Sequence, residues 1–451
     1  MPSLFIKTYG CQMNERDSEA VAALFVGRGF SLADSEELAD VVLLNTCSVR
    51  DTAEQKALGK MRQLIASRAR ARRNQVLGYL GCMAQSRGQE LFDRTPGVDL
   101  IVGTYRLYRA PDHVLRILGG GEKTVCDVDT DTAGDQLLCK HLIGADGKAP
   151  GVTAFVTIMQ GCNRRCAFCI VPSTRGRERS RPMEEIVAEC RELAQHGVRE
   201  VTLLGQIVNN YGRAFREPGL GISPFVRLLE ALEAIDGLDR IRFTSPHPLG
   251  FKSDLIEAFG RLRKLCEHVH LPLQSGSNRV LQQMRRGYTR EQYIELVKKL
   301  RRVVPEMGIS TDLIVGFPGE TEADFEQTLD IVHEVEFDSA FVFKYSPRRG
   351  TSAEKRTDLV PAEIIAERHA RLLAAVNEVA VRRFARLVGR TVQVLVEGAS
   401  RRNPARLEGR TRCNKIVVFP GARDCRGRLV NVNIVRASAV TLYGEGVVEN
   451  S

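Results

Sequence analysis

Tryptophan is absent from this 451-residue chain, and aromatic residues make up only 6% of it. Any face that stacks on a planar ligand must therefore be built from Phe, Tyr or Arg. Also missing is a run approaching the roughly 20 apolar residues that a membrane-spanning helix needs, which excludes a helical membrane protein. The N-terminus, Met1-Pro-Ser-Leu-Phe-Ile-Lys-Thr-Tyr-Gly10, enters strand-like sequence at once, without the basic, apolar and small-residue order of a secretory signal. The expectation is a cytoplasmic protein in which twelve cysteines serve metals better than disulfides. The length excludes a single core and predicts two to four domains. A hydrophobic content of 43% is that of a globular protein.

What is present is dominated by thiols. Cys162, Cys166 and Cys169 lie in Gln160-Gly-Cys-Asn-Arg-Arg-Cys-Ala-Phe-Cys169, and this C-x-x-x-C-x-x-C spacing lets one loop present three thiolates to one metal centre. Soft thiolates favour an iron-sulfur cluster, zinc or copper(I). Closed sites use four ligands, so three leave one position for an exogenous group. The spacing disagrees with the C-x-x-C pairs of zinc ribbons and with the four-cysteine run of bacterial ferredoxins. Three merely buried cysteines are the bland alternative, but flanking Gly161, Asn163, Arg164 and Arg165 are not core-like.

Cys11, Cys47 and Cys82 repeat the theme at a spacing of about 35 residues. Each ends an apolar, strand-like run: Leu4-Phe-Ile6, Val41-Val-Leu-Leu44 and Val76-Leu-Gly-Tyr-Leu80. The interval is that of a βαβ unit, whose parallel strands place their carboxyl ends, and hence these residues, on one sheet edge. A second three-thiolate site is the expectation, with unrelated core cysteines as the alternative. Cys126, Cys139, Cys190, Cys266, Cys413 and Cys425 show no ligand spacing and read as ordinary thiols, with Cys190 and Cys266 on helices.

The middle of the chain alternates. Strand-like segments 154–158, 200–204, 240–244, 268–272, 309–315 and 339–344 are separated by helix-like segments 182–196, 224–235, 252–263, 290–303 and 322–335. Six such units predict most of a (β/α) barrel, with the cysteine loop just after its first strand. Gln206, Ser245, Gln274 and Gly316 then fall at the carboxyl ends of strands, where barrels bind ligands. His247, between two prolines, reads as structural. Arg175 and Arg177 could meet RNA phosphate or substrate, or form ion pairs with Glu178 or Glu184. The polar stretch 127–150 reads as a linker between an N-terminal α/β domain, 1–126, and the barrel, 151–383.

Formal charge is +10, from 65 basic against 55 acidic residues, and the excess gathers toward the C-terminus from Arg382 onward. Short β-rich runs at 391–396, 416–419, 429–435 and 440–443 predict a small all-β barrel over 384–448. A basic barrel suits nucleic-acid phosphates. A second basic run, Arg68 to Arg73, reads as the solvated end of a helix.

At this point the chain resembles a known family. The motifs that carry the resemblance are Thr8-Tyr-Gly-Cys-Gln-Met-Asn14, Asn45-Thr-Cys-Ser-Val-Arg50, Gly81-Cys-Met-Ala84, Gln160-Gly-Cys-Asn163, Cys169-Ile-Val-Pro172, Thr174-Arg-Gly-Arg177, Pro272-Leu-Gln-Ser-Gly-Ser277 and Lys344-Tyr-Ser-Pro347. In order and spacing they resemble the methylthiotransferases of the radical S-adenosylmethionine (SAM) superfamily, along essentially the whole chain. Gln12-Met13 after the first cysteine is similar to the branch acting on isopentenyladenosine in tRNA, rather than to the sister branches acting on threonylcarbamoyladenosine or on a ribosomal-protein aspartate. The chain departs from the family's usual text at Ile207, where Asn is common, and at Ser173, where Tyr is common.

The resemblance implies an α/β protein of three parts: an N-terminal parallel-sheet domain, a central partial (β/α)6 radical SAM barrel and a C-terminal TRAM β-barrel that grips the tRNA anticodon stem-loop. It implies two 4Fe-4S clusters, one held by Cys162, Cys166 and Cys169 with SAM on its open iron, the other held by Cys11, Cys47 and Cys82. SAM would be methyl donor and radical source, with Gln206, Ser245, Gln274 and Gly316 as contacts. The implied reaction is methylthiolation of C2 of N6-isopentenyladenosine beside the anticodon. An inert aromatic C–H demands such one-electron chemistry. An electron donor such as flavodoxin or ferredoxin, a sulfur or cluster donor protein, a monomeric state and the absence of a membrane partner complete the expectation.

Overall fold

The computed structural model describes residues 1–48, 51–71, 74–130, 139–144, 146–215 and 221–448. Val49 and Arg50 of the second cysteine motif, Arg72 and Arg73 of the basic run, and parts of the expected linker lie outside them.

The N-terminal part is a six-stranded sheet. Its order is Ser31–Leu32, Ser3–Tyr9, Val41–Thr46, Val76–Leu80, Leu100–Val102 and Val125–Asp127, and every described pairing is parallel. The two central strands are buried along their whole length, as a parallel sheet covered on both faces requires. Val42, Leu44, Leu77 and Tyr79 pack on Leu58 and Met61 of helix Asp51–Ala71. On the opposite face Leu43, Val76, Leu80 and Val102 pack on Val21 and Phe25 of helix Gln12–Val26. The register Tyr9 with Thr46 and Asn45 with Leu80 aligns three strand ends, and each is followed within two residues by Cys11, Cys47 or Cys82.

The central part holds six strands in two parallel sheets, Arg240–Phe243 with Glu200–Leu204 with Thr153–Thr157, and His268–His270 with Gly308–Val315 with Ser339–Lys344. A parallel bridge links Ile241 of the first sheet to Leu265, in the segment that leads into strand His268–His270 of the second. The strands and helices fall where the sequence predicts, within a few residues at their ends. Helices Met183–Gln195, Pro224–Glu233, Arg290–Val303 and Glu322–Val335 cover one face through a large shared apolar core. One correction concerns Cys266: it lies in the segment between helix Ser253–Arg261 and strand His268–His270, not on a helix. Cys190 is on helix Met183–Gln195 as expected.

The C-terminal part is a closed five-stranded barrel in the order Thr391–Ala399, Leu407–Thr411, Ile416–Phe419, Thr441–Val448, Leu429–Ala437. The strand Leu407–Thr411 is additional to those the sequence pattern indicates. Helix Ala362–Ala385 leads into it.

Much of the C-terminal positive charge is spent on joining this barrel to the central part. Lys415 Nζ lies 2.5 Å from Asp338 Oδ1, and Arg383 Nη2 is 3.2 Å from Asp338 Oδ2, with all three side chains buried. Arg412 forks onto Glu267, at 2.7 Å for the shortest contact. In the other direction Arg240 donates to the Arg410 carbonyl at 2.6 Å, and Arg242 donates to the Arg412 and Thr411 carbonyls at 2.7 and 2.8 Å. Arg401, Arg402, Arg406, Arg423, Arg428 and Arg436 stay exposed. The basic run of helix Asp51–Ala71 is likewise only partly solvated, because Arg68 donates to the Gln75 carbonyl at 2.8 Å and pairs with Asp99.

Asp338 gives a stability prediction. Burial pushes its carboxyl up, but Lys415 and Arg383 outweigh that and hold it below the usual 3.8. Replacing it with Asn strands two buried cations and should cost about 3–5 kcal/mol at neutral pH, seen as a lower urea midpoint of the apoprotein. A group with a depressed folded pKa contributes fully above its unfolded value of about 3.9. The gap between wild type and Asp338→Asn should therefore persist through neutral pH and close only as pH falls through the lower folded value.

Candidate functional site

The three N-terminal cysteines occupy turns that are tied together by a buried pair of amides. Asn14 Nδ2 donates to Asn45 Oδ1 at 3.0 Å, and Asn45 Nδ2 returns the bond to the Asn14 carbonyl at 2.9 Å. Asn14 Oδ1 also accepts from the Cys11 backbone N–H, closing a capping box on helix Gln12–Val26. Gly81, before Cys82, adopts φ 87°, and a Cβ there would sit 2.2 Å from Asn45 Oδ1. Glycine is required on both counts. The motif residues around the cysteines thus have a physical role in bringing the three turns to one point.

The thiols respond to that convergence. A hydrogen bond with Cys47 is the largest influence on Cys11 and lowers its pKa to about 6 against burial, with help from Arg175 and the backbone N–H groups of Asn14 and Met13. Burial pushes Cys82 up, opposed by Arg175. Thr46 Oγ1 and Arg175 Nη1 are buried here without a hydrogen-bond partner.

The second group sits at the matching end of the central sheets. The loop from Cys162 to Cys169 is strapped by Cys162 N–H to the Gly176 carbonyl at 2.9 Å, by Ala167 N–H to the Met284 carbonyl at 3.0 Å, and by Ala353 N–H to the Ala167 carbonyl at 2.9 Å. Burial raises Cys162, and pushes Cys169 up to about 12. Arg286, which sequence spacing does not single out, donates to Cys166 Sγ at 3.5 Å and to Tyr288 Oη at 3.1 Å. Among the described residues no trio of His, Cys, Asp or Glu closes around a single metal ion. Two soft trios on fixed turns fit polynuclear iron-sulfur centres, in which each cysteine holds a different iron, better than a single zinc ion.

The remaining candidates lie on the same edge. Gln206 Oε1 accepts from the Gly161 N–H, bracing the start of the cysteine loop. Ser245 and Gln274, just past strand ends, adopt φ 58° and 76°, a left-handed backbone that non-glycine residues hold only when their surroundings enforce it. Gly316 adopts φ 74°, but a Cβ there would lie 2.4 Å from Ile365, so packing against helix Ala362–Ala385 also demands glycine. His247 is buried and pushed down to about 2, by burial first and then by Arg286 and Arg164, which leaves it neutral and consistent with a structural role.

The two groups share one seam. Helix Val171–Arg175, which follows Cys169, packs against helix Cys82–Arg87. Arg175 does not pair with Glu178 or Glu184; its Nη2 donates to Asp17 Oδ2 at 2.6 Å, across the interface. Arg177 is exposed. Farther along, His141 bridges Glu19 at 3.0 Å and Glu189 at 2.7 Å, and Arg16 donates to the Lys140 carbonyl at 2.8 Å. Part of the expected linker is therefore a fixed clip.

Comparison with known proteins divides the chain in the same way. Residues 156–332 match the radical SAM superfamily, residues 3–103 match the uncharacterized protein family UPF0004, and residues 385–447 match the TRAM domain. A protein of Opitutus terrae named tRNA-2-methylthio-N(6)-dimethylallyladenosine synthase is 51% identical, over 99% of this chain and 97% of its own. Proteins of the same name from Akkermansia muciniphila and Methylacidiphilum infernorum are 50% and 48% identical over 98% of the chain, and over 98% and 94% of their own lengths. Among solved structures, the radical S-adenosylmethionine methyltransferase TsrM of Kitasatospora setae, determined with cobalamin and a [4Fe-4S] cluster bound, superposes with a TM-score of 0.59. It covers 78% of this chain and 77% of its own at 14% identity, a likeness of fold.

The thiol environments predict an order of reactivity in the metal-free protein. The Cys11 thiol is lowered where those of Cys82, Cys162 and Cys169 are raised, so iodoacetamide should label it before them, as read by peptide mass spectrometry. Its labelling rate should be flat above pH 7, whereas that of Cys169 should still be rising at pH 9.

Proposed function

The chain belongs to the tRNA-2-methylthio-N(6)-dimethylallyladenosine synthase family, and from that membership we propose that it adds a methylthio group to C2 of N6-isopentenyladenosine beside the tRNA anticodon. The observation that carries the reading is the seam: two cysteine trios, on the carboxyl edges of two parallel-sheet units, meet through helices Val171–Arg175 and Cys82–Arg87.

In this reading Cys162, Cys166 and Cys169 hold one 4Fe-4S cluster and Cys11, Cys47 and Cys82 another. Bound there, SAM and the clusters supply the methyl group, the radical and the sulfur that no side chain can provide. The protein's own part is positional. Arg286 steadies Cys166, Gln206 fixes the loop that carries the trio, and Ser245, Gln274 and Gly316 line the edge on which SAM would be oriented. We assign the second cluster to 1–126, the radical chemistry to 151–383 and RNA binding to 384–448, with 127–150 between them.

The exposed arginines of the C-terminal barrel are suited to tRNA phosphates, and the Arg436 guanidinium, 3.7 Å over the Tyr443 ring, forms a flat cationic surface. No helix among the described residues is long and apolar enough to cross a membrane. We place the enzyme in the cytoplasm as a monomer, served by a flavodoxin- or ferredoxin-type electron donor and by a sulfur or cluster donor protein.

Reconstituted with iron, sulfide, SAM and a reductant, the protein should convert isopentenyladenosine in tRNA to its 2-methylthio derivative, read by nucleoside mass spectrometry. No product with both clusters verified would overturn the proposal, and product on threonylcarbamoyladenosine or a ribosomal aspartate instead would move the chain to a sister branch. Cys166→Ala should abolish SAM cleavage. Cys47→Ala should leave cleavage intact and stop methylthiolation.

A further inference from the structure

Arg175 ties the segment that follows the barrel trio to the N-terminal unit. It stands six residues past Cys169, on the short helix that continues the barrel's cysteine loop, yet it points out of the barrel and into the N-terminal unit. Its side chain is only 3% exposed. One face of the guanidinium is fixed by Asp17, itself on the helix that starts beside Cys11. The other nitrogen, Nη1, finds no oxygen or nitrogen acceptor although it is fully buried. Such an orphaned, charged donor is costly, and native structures keep one where something else will use it.

Arg175 stands against the turns of the N-terminal trio: its helix packs on helix Cys82–Arg87, which begins at one of the three cysteines, and its partner Asp17 lies on the helix that follows Cys11. A guanidinium held through Nη2 by a carboxylate, with Nη1 buried and without a hydrogen-bond partner, is a pre-aimed donor.

The geometry points to Arg175 as a positioning residue of the N-terminal centre: its Nη1 donates to a sulfur of the group held by Cys11, Cys47 and Cys82 and sets that group's reduction potential. Hydrogen bonds and net charge around the sulfurs are what tune such potentials. The inference rests on the two-cluster reading above.

The test is a reductive titration of the holoenzyme followed by electron paramagnetic resonance, with Cys166→Ala used to isolate the N-terminal signal. Arg175→Gln removes a positive charge and a donor, and should shift the potential of the N-terminal centre to a more negative value while leaving that of the barrel centre unchanged. Arg175→Lys, which keeps the charge, should recover part of the shift. Asp17→Asn breaks the same ion pair but removes a negative charge, and should shift the potential in the opposite direction. A purely structural role of the pair predicts the same direction for both changes, or none, and either result overturns the inference. Arg175→Gln that fails to fold leaves the sign of the Asp17→Asn shift as the deciding measurement, and a negative or absent shift there overturns it. Iron content separates the two levels: a Cys47→Ala protein with as much iron as wild type removes the second cluster and with it both readings, whereas an intact second cluster with an unmoved potential removes this one alone.

Discussion

Parallel strands that end side by side leave their turns without a ladder to hold them, and the buried Asn14–Asn45 amide pair meets that constraint here. Asn14 closes the turn of Cys11 and holds Asn45, two residues before Cys47, while glycine at position 81, next to Cys82, leaves room for Asn45 Oδ1. A buried polar network rigidifies a site only when its members are satisfied. Asn45 Nδ2 also reaches Ser18, and Ser18 shares a hydrogen bond with Thr8, which extends the network back to the first strand.

The two units that carry the trios are joined at the seam. Asp17 and Glu19 lie on the helix that begins after Cys11, and they meet Arg175 and His141 respectively. Glu189, on the first long helix of the central part, takes Arg181 at 2.6 Å and the other side of His141. Carboxylates from both units thus share a small set of buried basic groups, and His141 and Arg16 each meet more than one of them. Isolated surface ion pairs would contribute little here; buried and hydrogen-bonded ones set the angle at which the two units meet.

Much of this was legible in the residues alone. Cysteines at intervals of a βαβ unit, each after an apolar run, leave few arrangements other than convergence on one sheet edge. The six strands of the central part follow from the same alternation. What escaped is explained by length, by pattern and by distance in sequence. Leu100–Val102 and Val125–Asp127 are three residues each, too short to show a period. Leu407–Thr411 reads Leu-Glu-Gly-Arg-Thr, which offers little apolar alternation although Leu407, Gly409 and Thr411 are buried. Cys266 follows an apolar residue that pairs with Ile241 rather than continuing the preceding helix. The Arg175–Asp17 contact spans 158 residues, and no local pattern announces a partner that far away. Net charge is silent on partners for the same reason: it counts basic residues without showing that Arg383, Arg412 and Lys415 already face Asp338 and Glu267.

The joint between the central part and the small barrel has one property that reaches beyond stability. Arg240 and Arg242 grip it by the carbonyl oxygens of Arg410, Thr411 and Arg412. A peptide carbonyl is the same whatever side chain its residue bears. As long as Arg412 and Lys415 keep Glu267 and Asp338, the barrel's exposed residues can consequently drift through many sequences while this grip stays put, which lets selection retune that surface without disturbing the chemistry it serves.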